Sequence, residues 1–182
     1  MDDCEDDSPS DTLYLKLRTE IRQLILQGSI SEATSLLEAQ LPRVLDPDRP
    51  SVQPLHVSLN LDIQAFVELL RTPASPDVAM DVADDIRTAS TSTSTSVPAL
   101  TQDELDRLRL AAVRRLHARI VAAASPPHTR EWTLVGSMIA YKYPPRDAPA
   151  DMRGYFAQAR RAALAAQVDA AILCALGHGV TD

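Results

Sequence analysis

The chain has 182 residues, enough for one medium helical domain or two small ones. Apolar residues at 45% and charged residues at 24% exclude a wholly disordered polymer, while aromatics at only 4% argue against a packed β-sheet, whose faces draw on aromatic and β-branched side chains. The formal net charge of −7 disfavours duplex nucleic acid as the main partner, because phosphate neutralisation drives most such binding.

Much of the negative charge sits in residues 1–10, an acidic head expected to be disordered, with further acid at Asp11. Leu13, Leu17, Ile21, Leu24 and Ile25 recur at spacings of three and four and predict a helix from about Asp11 to Gln27, stopped by Gly28. Ser29 and Glu32 have capping-box spacing and predict the start of a second helix. Its stripe is Ala33, Leu36, Leu37 and Leu41, and the prolines of residues 46–50 end it. Pro54 opens a third helix, with Leu55, Leu59, Ile63, Phe66, Val67 and Leu70 on one face.

Residues 73–100 read as a flexible linker, with a short turn near 78–86 and a run of Ser and Thr from Thr88 to Ser96 broken only by Ala89. Thr101 and Glu104 form a second capping-box pair, opening a long helix with Leu105, Leu108, Ala112, Leu116 and Ile120 inward. Ser125-Pro126-Pro127 ends that helix. Residues 130–141 carry Leu134, Val135, Met138 and Ile139, and Pro144, Pro145 and Pro149 mark a turn-rich loop. A last helix follows with Phe156, Leu164, Val168, Ile172 and Leu176 inward, a break near Gly154 and a cap at Gly177. The expectation is an all-α bundle of about six helices. Its core should include Leu24, Leu37, Leu59, Ile63, Phe66, Leu70, Leu116, Ile139, Val168 and Ile172.

Chemistry is harder to find. His56, His117, His128 and His178 include no pair at helical ligand spacing, Cys4 and Cys174 have no CxxC companion, and the five glycines form no phosphate cradle. The reading is therefore no catalytic, cofactor or metal site, and a reducing compartment, cytoplasmic or nuclear, with no membrane segment. Arg107, Arg109, Arg114, Arg115 and Arg119 read either as the solvated side of the long helix or as a patch for an acidic partner, the head of this chain among the candidates. Trp132, Tyr141, Tyr143, Pro144 and Tyr155 cluster around the proline loop and suit local packing or a docking surface equally.

Two stretches resemble the CTLH and CRA domains of the Ran-binding-protein-like family of scaffold subunits. Residues 21–33 carry a helix, a glycine turn and Glu32-Ala33, and residues 59–71 carry Gln64, Phe66, Glu68 and Leu69, similar to the terminal "QxFxEL" helix of CTLH. Met138-Ile139-Ala140-Tyr141-Lys142-Tyr143-Pro144, then Ala148-Pro149 and residues 164–173, are similar to the CRA pattern "LLAYxxP…SP…LAxxLNxAIL". Ala148 stands for the Ser of that pattern and Asp169 for the Asn.

The resemblance divides the chain into CTLH-like helices at 11–72 and CRA-like helices at 101–177, with a tail at 178–182. It implies a non-catalytic subunit of a CTLH (GID) type ubiquitin-ligase assembly, pairing with other CTLH–CRA subunits or with itself, while RING chemistry belongs to other subunits. The family usually places a LisH dimerisation motif before CTLH, and here about a dozen residues precede the first helix. The chain also lacks the length for a SPRY substrate-receptor domain, so direct substrate recognition is not expected. Two other classes remain: a small helical regulator binding nucleic acid through the Arg107–Arg119 face, and an enzyme with a dispersed site.

Overall fold

The computed structural model describes residues 9–45, 54–72, 101–141 and 144–177, and every regular element among them is helical. Six longer helices appear: α1 (Pro9–Gln27), α2 (Ile30–Gln40), α3 (Pro54–Arg71), α4 (Gln102–Ala123), α5 (Pro126–Ser137) and, at the end of the chain, α8 (Gln158–Ala175). The proline loop holds two single-turn helices, α6 (Pro144–Asp147) and α7 (Ala150–Arg153). Tight three-residue turns sit at Pro42–Val44, Met138–Ala140 and Gly154–Phe156. The fold is all-α, as expected. The first eight residues of the acidic head, the linker at 73–100 and the tail at 178–182 lie outside the described residues. Within the expected head, α1 already begins at Pro9, whose missing amide hydrogen is not needed in a first helical turn.

The compact units cut across the CTLH-like and CRA-like stretches: one is Met1–Ala65 with Ala157–Asp182, the other Phe66–Phe156, so the boundary falls inside α3. In the first unit, Ile21 and Ile25 of α1, Ile30, Ala33 and Leu37 of α2, and Val57 and Leu61 of α3 are buried in one cluster. That cluster also contains Leu164, Ala165, Val168, Ala171 and Ile172 of α8. The last helix thus completes the core begun by the first three, and its small Ala165 and Ala171 let α1 approach it closely. Leu24 is half-buried against the cluster, and Leu59 and Ile63 are fully buried.

One predicted cap does not form. Gly28 takes φ +92°, its amide donates to Ile25 O at 3.1 Å, and the Ser29 amide donates to Leu24 O at 2.9 Å. This is the paired closure that a left-handed glycine gives a helix end. It consumes the Ser29 amide that a capping box would present to Glu32, and the Ser29 side chain makes no cap bond. At Thr101 nothing competes for that amide, and the box is complete. The Glu104 amide donates to Thr101 Oγ1 at 3.3 Å, and the Thr101 amide donates to the Glu104 carboxylate at 2.9 Å. That bond holds the Glu104 carboxyl below its usual range.

The second unit departs from the predicted stripes in two places. Leu108, read as inward, is 45% exposed, and Arg109 turns inward beside Leu105, Leu116 and Ile120. The reason lies at the end of α3, whose last carbonyls have no helical donor. Arg109 Nη2 donates to Thr72 O at 2.9 Å and Leu70 O at 3.4 Å, placing a cation at a helix C-terminus. Burial pushes the Arg109 guanidinium down from its ordinary value, with Asp106 acting in the opposite direction. Ile139, expected in the core, is 38% exposed. The chain tightens to a three-residue turn at Met138–Ala140, which rotates Ile139 outward while Met138 fills the interior. Phe66, Leu70 and Leu116 are buried.

Candidate interaction surface

The proline-loop aromatics are mostly engaged within their own unit. Trp132 is half-buried, with its ring 6.0 Å from Phe66 and 6.2 Å from His117 between centroids. Gly136, one turn later, leaves room for the indole, since a Cβ there would lie 3.1 Å from Trp132 Cε2 and Cζ2. Pro144 is buried at the start of α6, and Tyr141 and Tyr155 are half-buried. Tyr143 lies outside the described residues. Trp132 thus packs against Phe66 and His117, and Pro144 is buried.

Other buried polar groups also serve architecture. Ser125 precedes α5, and its hydroxyl is hydrogen-bonded to His128 Nδ1 at 2.7 Å, both residues being buried. Gln64 is fully buried and accepts from Arg160 Nε at 3.2 Å. Among the described residues, no group of three or more His, Cys, Asp or Glu is placed to hold a metal, and no helix is long and apolar enough to cross a membrane. Of the arginine cluster, Arg107, Arg114, Arg115 and Arg119 are exposed and Arg109 is not.

The largest apolar surplus is on α1, where periodicity alone placed a core face. Leu17 and Ile21 share a stripe with Leu13, yet exposure rises from a buried Ile21 through a half-buried Leu17 to 65% at Leu13. Leu15, on another face of the same helix end, is 60% exposed, and Tyr14 is exposed as well. Helical spacing shows which residues share a face but not how far the covering helices reach, so this uncovered end has no signature in the sequence. Consecutive large apolar side chains in water mark an interaction surface more often than scattered single ones do.

The same helix is pinned to α8 by charge. Arg18 Nε and Nη2 donate to the two carboxylate oxygens of Asp169 at 2.8 and 2.9 Å, a bidentate pair. Asp169 is the residue that stands for Asn in the CRA pattern, and Arg18 is the partner that its charge requires. The hydrogen bond from Arg18 holds the Asp169 carboxyl below the ordinary carboxylate range, helped by the charges of Arg18 and Arg22 and opposed by burial. A depressed folded pKa contributes stability that is complete above the unfolded value, about 3.9, and is lost as pH falls through the folded value. Asp169→Asn should therefore lower the thermal midpoint at neutral pH, and the gap from the parent should close in acid. An equal gap at about pH 7 and about pH 2 would show that the ion pair contributes nothing.

The family model described as CTLH/CRA C-terminal to LisH motif domain matches residues 14–180 of the chain. Neither the curated proteins nor the solved structures give a match. The matched stretch begins in α1 and runs past α8, so it takes in the shared core together with Tyr14 and Leu15, while Leu13 lies just before it. The chain belongs to the CTLH/CRA C-terminal to LisH motif domain family, a family of protein-interaction domains.

Proposed function

We propose that this chain is a non-catalytic scaffold module that joins other CTLH–CRA subunits, or a second copy of itself, within a CTLH (GID) type ubiquitin-ligase assembly of the cytoplasm or nucleus. The observation that carries the reading is the apolar stripe of α1, which continues past its own core to the exposed Leu13, with Leu15 exposed on another face of the same helix end. Burying such side chains against a neighbouring subunit gives about 1.5–3 kcal/mol each, enough for a few of them to anchor an interface.

The test is a pull-down of the tagged chain from native extract, with mass spectrometry of the co-purifying chains. The expected result is recovery of other CTLH–CRA subunits together with a RING-bearing subunit. The Leu13→Asp/Leu15→Asp double variant should lose them, while its thermal stability stays within about 0.5 kcal/mol because both side chains are solvent-facing. Recovery of no CTLH–CRA chain, or full recovery by the double variant, contradicts the proposal.

A further inference from the structure

Charge is distributed unevenly along the chain. Between Arg107 and Arg130 there are six arginines and no Asp or Glu, in a protein whose net charge is −7. Five of the six fall on α4, and four of those five are exposed.

Arg107, Ala111, Arg114, Ala118 and Val121 follow one another at helical spacings of four and three, with Leu110 next to Ala111, the spacing of a seam that receives another helix. All six are exposed, Leu110 at 44% and Val121 at 63%. This seam lies opposite the face that buries Leu105, Arg109, Leu116 and Ile120. Neither Arg107 nor Arg114 makes an ion pair among the described residues.

We infer that this seam of α4 is a docking site for an acidic amphipathic helix of a partner protein, distinct from the apolar end of α1. The inference rests on the reading of the chain as an interaction module. Leu110 and Val121 call for aliphatic side chains on the partner, while Arg107 and Arg114 call for carboxylates that accept paired guanidinium hydrogen bonds. Ala111 and Ala118 leave the seam low between them, so a helix axis can approach to about 8–10 Å. From 107 to 121 the seam is about 21 Å long, which sets the docked helix at about four turns.

Duplex nucleic acid fits less well. Its phosphates would pair with the arginines but leave the aliphatic positions uncovered, and the negative chain as a whole repels a polyanion. A partner helix satisfies both components of the seam.

The experiment is fluorescence anisotropy with the full chain and a labelled helical peptide of about 18 residues, carrying Leu and Glu at heptad positions. Comparators are the same peptide with Lys for Glu, a Glu-rich peptide without aliphatics, and a duplex DNA of similar length. The Leu/Glu peptide should bind, with affinity falling but not vanishing as salt rises, and the Lys version should not. Arg107→Glu/Arg114→Glu should weaken binding by about tenfold or more. Leu110→Asn, which leaves the charge intact, should weaken it severalfold. Circular dichroism of both variants should match the parent, since the altered side chains face solvent.

The proposal is overturned if the parent chain does not bind the Leu/Glu peptide, or if neither folded variant weakens binding. It is also overturned if the Glu-rich peptide or the duplex binds as tightly as the Leu/Glu peptide. A chain that recovers CTLH–CRA subunits from extract but ignores the peptide loses only this seam. A chain that binds the peptide but recovers no such subunit loses only the scaffold reading.

Discussion

Removing residues 157–182 is expected to unfold the opposite end of the chain. The deleted segment contains α8, which supplies Leu164, Val168 and Ile172 to the cluster that also buries Ile21, Ile25, Ile30, Leu37, Val57 and Leu61. Burial of each large aliphatic contributes about 1.5–3 kcal/mol, and the truncation also exposes the face of α1 that α8 covered. Whole domains are stable by only about 5–15 kcal/mol, so the loss is of the same order as everything holding this unit folded. Arg18 would lose Asp169, and the Leu26 carbonyl would lose the side chains of Gln158 and Arg161 that now donate to it at 2.9 and 3.3 Å. Far-UV circular dichroism should show loss of helix well beyond the deleted residues, and a synthetic α8 peptide should restore it. A truncated chain that keeps a cooperative transition in residues 9–65 would contradict this account. In the full chain, Ile172→Ala is the graded version, with an expected cost of about 2–5 kcal/mol.

Phe66→Ala should have the largest effect of any single substitution in the second unit. Phe66 lies just beyond the unit boundary in α3, is 2% exposed, and packs its ring against Trp132 at an interplanar angle of 54°. Truncating a buried Phe costs about 3–5 kcal/mol, because the lost transfer energy is joined by a cavity that the neighbours only partly fill. Trp132 is the only tryptophan in the chain, so its fluorescence reports on this site directly. The variant should unfold at lower denaturant concentration and show a red-shifted emission while still folded, as water reaches the exposed side of the indole. An unchanged midpoint and emission would remove Phe66 from the core.

The features that sequence made legible are those that local physics decides. The stop at Gly28 follows from a left-handed backbone that glycine accepts without strain, and the cap at Thr101 follows from two side chains with no competitor. Ser29 and Glu32 have the same spacing, but the closure of α1 at Gly28 takes the amide first, and spacing alone does not show which of two local bonds wins. Arg109 could not be distinguished from its neighbours as a buried residue, because its role depends on α3 ending beside it. Ile139 moved outward when one turn tightened, a change of hydrogen-bond register that hydrophobic spacing does not encode.

The wider lesson concerns partners rather than faces. The stripes of α1 and α8 were both readable, yet nothing in either stripe states that residues 21–25 meet residues 164–172 across most of the chain. The only paired clue was charge, Arg18 against an Asp at a position where the CRA pattern has Asn, and it becomes a clue only once the two helices are adjacent. The same limit hid the uncovered end of α1. A stripe that continues beyond its cover looks identical in sequence to one that stays covered, so Leu13 and Leu17 read alike although one is exposed and the other half-buried.

Helices from the two ends of the chain should form one cooperative core. Native-state hydrogen exchange on the full chain tests it most directly, because amides that share a core open together. The most protected amides of α1, α2, the first half of α3 and α8 should exchange with one common opening free energy, lowered equally in all four by Ile172→Ala. If α8 exchanges at its own lower free energy while α1 and α2 keep their protection, the shared core does not exist.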